Sequence, residues 1–456
     1  MKSVFIFRRD YRIEDNISFI ECYKNSDVIL PIFIFTPEQT KNNEYFSSNS
    51  FQFLLECVDE LDNELKTKYK SQLHYYYGDN IHVLKSLLKE YHYHAIYFNM
   101  DYTPYAQKRD QNIFKFCNEN NVICNMFEDY LLAPMGTYLK KDGKEYQKYT
   151  PFKNHAKNFA VEKPKYIHYD KNKFDKIKFD FQFDELNKYY TINPNIAVHG
   201  GRKLAENILK NIKKFKNYEK ERNDLNIETT HLSAYIKFGC VSIREVYHCF
   251  LKNFGLECGL INQLLWREFY YYLSYYHPQM LENSKSLKEQ YDKIKWKNHP
   301  YNIQSWCNGL TGFPIVDAGM NQMNITGFMH NRARLITSGI LIKILNCDWR
   351  IGEKYFAQKL IDYDPIVNNG NWQWSSGSGA DSQPYFRILS PWKQTIDNDP
   401  NCDYIKKWVP QLENILVKNI LKWDKYCNKN EYICPIVNYE VMRKEIMDTY
   451  KDGLYK

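Results

Sequence analysis

Lys2-Ser3-Val4-Phe5-Ile6-Phe7, running directly into Arg8-Arg9-Asp10-Tyr11-Arg12-Ile13-Glu14-Asp15-Asn16, is the stretch on which the reading of this chain turns. Val4 to Phe7 is a short, unbroken run of β-branched and aromatic residues, the pattern of a strand, and it gives way at once to a charged block. Working outward, Val28 to Phe35, Leu73 to Tyr77 and Ala95 to Tyr97 repeat the strand pattern, while Phe51 to Tyr69 and Ile81 to Tyr91 carry helical spacing between them. Strands separated by helices imply a parallel sheet with crossover connections. Residues 1 to 130 are therefore expected to form one α/β domain. From 131 to 200 the periodicity fades into Lys-, Tyr- and Asn-rich sequence with Pro134, Pro151, Pro164 and Pro194, which reads as a long, partly ordered interdomain linker. After Gly200-Gly201 strand signals nearly vanish. Lys203 to Phe215, Ile243 to Phe254, Ile261 to Tyr276 and Arg332 to Leu345 carry helical spacing, so 201 to 456 reads as an all-α domain.

With 456 residues, 44% of them hydrophobic and 16% aromatic, the chain has apolar material for two or three cores, which excludes a disordered or fibrous protein. A net charge of +8 is compatible with a polyanionic partner, because each phosphate paired with Lys or Arg releases condensed counterions; basic proteins that never touch nucleic acid are nevertheless common. The 12 cysteines form no CxxC and no Cys/His cluster with zinc spacing, so no metal site and mostly free, buried thiols are expected, as in a reducing compartment. Met1-Lys2-Ser3 runs straight into the first strand, and the longest apolar run, near Val28 to Phe35, is too short to span a bilayer. The expectation is a soluble intracellular protein, cytoplasmic or nuclear, without a secretory leader.

Several blocks beyond Arg8 to Asn16 follow one another in a fixed order: Tyr149-Thr150-Pro151-Phe152, Thr229-Thr230-His231-Leu232-Ser233, Trp266-Arg267-Glu268-Phe269, Gly309 to Met320, Met329 to Arg334, and Asn368-Asn369-Gly370-Asn371-Trp372-Gln373-Trp374. Together they resemble the photolyase/cryptochrome family over about residues 3 to 415, most closely its class I cyclobutane pyrimidine dimer photolyases. The resemblance implies an α/β antenna domain, Rossmann-like with a parallel sheet, joined by a long linker to a helical domain that holds FAD.

By spacing alone, Thr229, Thr230 and Ser233 ahead of a helical run suit an N-cap better than a phosphate site. The resemblance reverses that preference and implies the flavin pyrophosphate segment, with Tyr218, Leu232 and Arg267 as further FAD contacts and His231 where many relatives carry Arg. Asn331 and Arg334, three apart, share a helix face. An Arg facing carboxylates is most often a buried structural pair. The resemblance implies instead that Arg334 pairs with Asp362 beside the flavin ring, that Asp364 lies at the N3 and O4 edge, and that Asn368 faces N5, where an amide both donates and accepts. Trp306, Trp349 and Trp372 read without it as core residues. With it they are the tryptophan chain that feeds electrons to the flavin, Trp372 innermost and Trp306 outermost. Gln263 and Trp266, on one helix face, join Asn331, Leu335 and Trp374 as the implied substrate cavity, the two indoles sandwiching a flipped dimer. Arg387, in Pro384-Tyr385-Phe386-Arg387, matches a contact to DNA phosphate.

The implied activity is light-driven repair of pyrimidine dimers in UV-damaged DNA, in which reduced FAD lends the dimer an electron and regains it after the ring splits. The family's (6-4) enzymes carry His at the positions of Asn331 and Leu335, and that pair of proton donors is absent here. Gln263 stands where bacterial-type cyclobutane enzymes have Glu; its amide can donate a hydrogen bond but cannot act as a carboxylic acid. Tyr105-Ala106 replaces the Asn-Glu pair of folate binders, so for a second, antenna chromophore three alternatives stay open: a deazaflavin, folate held in an atypical mode, or an empty pocket. The rival reading is a cryptochrome-type blue-light photoreceptor. Such proteins usually add a long C-terminal extension, and only about 40 residues follow the last block here. A monomer with no obligate protein partner and no membrane contact is expected.

Overall fold

The computed structural model describes residues 1–41, 43–176, 183–428 and 430–455. Its first part is a parallel five-stranded sheet ordered β3-β2-β1-β4-β5, from β1 (Lys2–Phe7), β2 (Val28–Phe35), β3 (His74–Tyr77), β4 (Ala95–Asn99) and β5 (Ile123–Phe127). The inner strands β1, β2 and β4 are buried on both faces, which is why they read as apolar runs. β5 gives no such pattern: it lies at the sheet edge, and Ile123 and Met126 are exposed. The crossover helices Ile17–Asn25, Asn80–Tyr91 and Pro104–Glu119 each begin at a side-chain cap, from Asn16, Asp79 and Thr103 respectively. The helix expected over Phe51 to Tyr69 is Ser48–Glu64, widened at its end into a π-turn over Leu65–Tyr69.

Strand alternation sends the two faces of the sheet to different partners. Val4, Ile6, Leu30 and Ile32 pack with Leu84, Leu87, Ile113 and Phe116 of the sheet's own helices. Phe5, Phe7, Phe33 and Phe35 belong instead to a cluster that runs without a break into Leu264, Phe269 and Tyr272 of the helical half. From Arg202 onward the described residues form helices and no strands, and a further core gathers around Trp306, Phe313, Ile340, Leu341 and Trp372. The segment read as a linker contributes the helix Tyr149–Ala156, whose Phe152 packs on Phe269 and Tyr272. Pro151 is tolerated in its first turn because that N–H has no helical partner to lose. Cys427 and Cys434 form a disulfide that spacing did not foresee; the other ten cysteines carry free thiols, six of them buried. Among the described residues no helix is long and apolar enough to cross a membrane, and no group of His, Cys, Asp and Glu could hold a metal.

The strand order reverses at β1 and β4, so the loops leaving these strands flank the crevice where such sheets bind ligands. Here the helical half closes on it. Arg9, from the β1 loop, pairs with Asp101 of the β4 loop at 3.2 Å and with Asp364 of the helical half at 2.9 Å. Arg244 similarly joins Asp15 and Asp129. Gly239 (φ +61°) makes this approach possible, since a Cβ there would lie 2.3 Å from the Arg9 carbonyl oxygen.

Candidate active site

A cavity of about 500 Å³ opens between the helices Gly259–Tyr276, Asn331–Lys343 and Pro365–Ser376. Helix phase sets its walls. Gln263, Trp266, Arg267 and Tyr270 share one face of the first helix, Asn331, Arg334, Leu335 and Ser338 one face of the second, and Asp364, Asn368, Asn371, Trp374 and Ser375 one face of the third. Every residue expected to hold flavin or lesion lines this cavity, including Tyr218, Thr229, Thr230, Leu232, Ser233 and Asp362. An adjoining cavity of about 600 Å³ shares Tyr218, Arg222, Thr229, Thr230 and His231 and continues it towards Lys214.

The polar wall is held from behind. Arg334 Nη2 donates to both oxygens of Asp362, at 3.1 and 3.0 Å. Asp364 caps its helix, Oδ1 accepting from the N–H groups of Ile366 and Val367 and Oδ2 from Arg9 and the Tyr271 hydroxyl. Burial pushes the Asp364 carboxyl up, but Arg9, Arg267, the Tyr271 hydrogen bond and Lys237 outweigh it and hold it at about 2. Asn368 Nδ2 donates to Glu353 Oε1 at 2.9 Å, which leaves its Oδ1 for a group in the cavity. Burial raises the Glu353 carboxyl to about 7 despite hydrogen bonds from Asn368 and Tyr45.

At the other end, His231 precedes the six-residue helix Leu232–Lys237 in a left-handed conformation (φ 54°), with its ring stacked on Phe328 at 4.3 Å. Burial lowers its pKa, so it brings no charge to the segment at neutral pH. Cations come instead from Arg222 and Arg332, which line the cavity with buried Nε atoms that have no hydrogen-bond partner. An elongated double cavity with hydroxyls and unpaired guanidinium nitrogens at one end, and Arg334, Asp362, Asp364 and Asn368 at the other, fits FAD: the first set suits a pyrophosphate and the second the polar edge of a flavin ring.

Trp266 and Trp374 project from two of the walls, and Tyr149 stacks on Trp266 with ring centroids 3.6 Å apart. Trp372 also reaches the cavity; Trp349 and Trp306 lie behind it. The expected order of the tryptophans needs correction. Trp306 is 0% exposed, sits 6.2 Å from Trp372 and donates from Nε1 to the Thr337 carbonyl, so it cannot be the surface end of a chain. Trp349 starts the helix that carries Gly352, where a Cβ would lie 2.1 Å from Trp372, so Trp349 is one turn from that indole. The half-buried tryptophan beside Trp349 is Trp296: Lys297 and Asn298 both donate to the Asn346 carbonyl, and Asn298 Oδ1 accepts from Asp348 N. Arg387 is outside the cavity and exposed, in the loop beyond the Trp374 helix. Tyr105 is half exposed and Ala106 buried in the first turn of Pro104–Glu119, so that turn presents no carboxylate or amide from those positions.

Sequence reasoning missed Arg9, Tyr149, Glu353 and Trp296. The first two stood inside blocks already recognised, whereas nothing in the local sequence marks Glu353 as buried or brings the half-buried Trp296 near Trp349.

Two family models match the chain: DNA photolyase over residues 3–167, and the FAD binding domain of DNA photolyase over residues 260–452. The second match continues past 415, where the recognised blocks end, through most of the helix Tyr439–Tyr455. The chain is 34% identical to the deoxyribodipyrimidine photo-lyase of Buchnera aphidicola subsp. Baizongia pistaciae, over 98% of this chain and 97% of that one. With the Escherichia coli deoxyribodipyrimidine photo-lyase it shares 29% identity over 98% and 97%. Among solved structures, an archaeal photolyase from Sulfolobus tokodaii with two FAD molecules superposes with a TM-score of 0.90 at 34% identity, covering 99% of this chain and 100% of that one. A bacterial class III photolyase from Agrobacterium tumefaciens gives 0.91 at 27%, covering 100% and 98%.

Proposed function

Because the chain belongs to the DNA photolyase family, we propose that it uses light to split cyclobutane pyrimidine dimers in DNA, with FAD in the double cavity and the dimer against Trp266 and Trp374. The observation that carries this reading is that one cavity is lined both by the polar set Arg334, Asp362, Asp364 and Asn368 and by two indoles on separate helices. Bound FAD supplies a light-absorbing one-electron donor. Everything else falls to the protein. Arg334 and Asp362 hold each other, Arg9 and Tyr271 fix Asp364, and Glu353 fixes Asn368, so the polar edge is set before any ligand arrives. The indoles offer apolar faces to the two joined pyrimidines taken out of the stack, and Gln263 offers an amide donor to a pyrimidine carbonyl. Asn331 and Leu335 provide no proton donor of the kind a (6-4) lesion requires.

Trp372, Trp349 and Trp296 form the route by which the buried site is re-reduced from the surface, because indole releases a single electron readily and these three lead outward. The exposed Arg387 is the contact to DNA phosphate, while Arg222 and Arg332 in the cavity serve the flavin pyrophosphate. A second, light-harvesting chromophore is part of the proposal, as in the S. tokodaii relative with its two FAD molecules. The test is repair of two synthetic duplexes by reduced protein in blue light and in darkness, one carrying a cis-syn thymine dimer and one a (6-4) lesion. Light-dependent repair of the first alone is expected; repair of the (6-4) duplex overturns the lesion assignment.

A further inference from the structure

Tyr149-Thr150-Pro151-Phe152 has no part in the function above, yet its first residue touches the proposed lesion platform. We propose that Tyr149 is a positioning residue that fixes the plane of the Trp266 indole, so that the opposite face stands ready for the flipped dimer. The proposal rests on Trp266 being that platform. The Tyr149 phenol lies parallel to the indole, centroids 3.6 Å apart and planes 10° apart, and is itself only 7% exposed, so it covers one face of the indole and leaves the cavity the other. Phe269 closes the edge, 5.6 Å from the indole and 5.9 Å from the phenol, both nearly perpendicular.

The phenol is anchored to the helix it serves. Its hydroxyl donates to the Asn262 carbonyl at 2.7 Å, one turn before Trp266 on Gly259–Tyr276. Its backbone N–H donates to Asp381 Oδ2 at 3.3 Å, and the Asp381 N–H donates back to the Gln147 carbonyl at 3.1 Å, which ties the start of the Tyr149 helix to the loop following Trp374. One residue thus links both indole-bearing walls. Trp266 cannot turn about its side-chain torsions without breaking the stack, so the ordering that a ligand would otherwise impose is complete beforehand. Holding one rotamer-rich side chain ready is worth roughly 3- to 10-fold in affinity.

The experiment is a titration in darkness, where no repair occurs, of flavin-loaded protein with a labelled duplex carrying one cis-syn thymine dimer and with the undamaged duplex. Tyr149→Leu is expected to weaken dimer binding by roughly 3- to 10-fold and leave undamaged DNA unchanged. Tyr149→Phe, which keeps the ring and loses the hydroxyl, should stay within about twofold of wild type on both. Tyr149→Met accompanies them, so that a misfolded leucine variant, seen as lost flavin absorbance, does not decide the matter. Dimer binding by the leucine and methionine variants as tight as wild type overturns the proposal. So does a phenylalanine variant as weak as leucine, because the hydroxyl anchor and not the stack is then responsible. Trp266→Ala is the control: if it leaves dimer selectivity intact, the platform reading falls and this proposal with it, a result distinguishable from the other two.

Discussion

Replacing Arg9 by Met removes the guanidinium that joins the β1 loop to Asp364 in the cavity wall, and its cost can be worked from the structure. Arg9 is nearly buried and holds Asp101 at 3.2 Å, Asp364 at 2.9 Å and the Tyr271 hydroxyl at 2.7 Å. Asp364 sits at about 2 against an ordinary 3.8, a gap worth about 2.5 kcal/mol of stability at neutral pH. Breaking a buried pair by removing one partner usually costs 3–5 kcal/mol. Asp364 would keep two backbone N–H groups, Tyr271 and the field of Arg267, which argues for the lower end, so about 3 kcal/mol is expected. The sign with pH follows from the depressed carboxyl. Its stabilisation is present above the ordinary value and is lost as pH falls through about 2; without Arg9 the carboxyl protonates earlier, so the gap between wild type and variant narrows below about pH 4. Urea unfolding followed by far-UV circular dichroism and tryptophan fluorescence measures this, combined with Asp364→Asn in a double-mutant cycle. A coupling of roughly 2 kcal/mol is expected. An Arg9→Met variant within about 0.5 kcal/mol of wild type, or an additive cycle, refutes the reasoning.

Glu353→Gln tests the other support of the polar edge. Because burial raises Glu353 to about 7 from 4.5, the folded state binds the extra proton, and the group's contribution declines as pH rises from 4.5 through 7. Wild type should therefore lose up to about 3 kcal/mol over that window while the glutamine variant does not; parallel stability profiles contradict this. Trp349→Phe and Trp296→Phe should each abolish most photoreduction of oxidised flavin by an external thiol, whereas Trp306→Phe, off the outward route, should leave it nearly intact; the reverse result restores Trp306 to the chain. Arg387→Ala should weaken damaged and undamaged DNA alike and reduce the slope of log affinity against log salt by about 1; selective loss of dimer binding contradicts a phosphate role.

Much of this architecture was legible because it is written in local patterns. The inner strands announce themselves as apolar runs, the helices of the second half by spacing, and the cavity residues by ordered blocks whose members fall on three helix faces. What stayed hidden depends on contacts distant in sequence. β5 is an edge strand with two exposed apolar residues and so lacks the buried pattern. Glu353 lies in Trp349-Arg350-Ile351-Gly352-Glu353-Lys354, which reads as a solvated helix face; it is buried only because Asn368 and Tyr45 meet it there. Trp306 and Trp296 are ten residues apart and equally aromatic, and only the burial of the first against Trp372 and Phe356 tells which of them can reach the surface. The Cys427–Cys434 disulfide closes a short loop, for which composition gave no signal.

Light-driven splitting of cyclobutane dimers in this cavity is read directly as the yield of restored thymines from a cis-syn dimer duplex, by protein whose flavin has been reduced chemically without oxygen. Wild type and Trp372→Phe should repair equally well in blue light and not at all in darkness, because chemical reduction makes the tryptophan route unnecessary, while the double variant Trp266→Ala, Trp374→Ala should lose repair with flavin still bound. No repair by wild type carrying reduced flavin in the light, or undiminished repair by the double indole variant, contradicts the account.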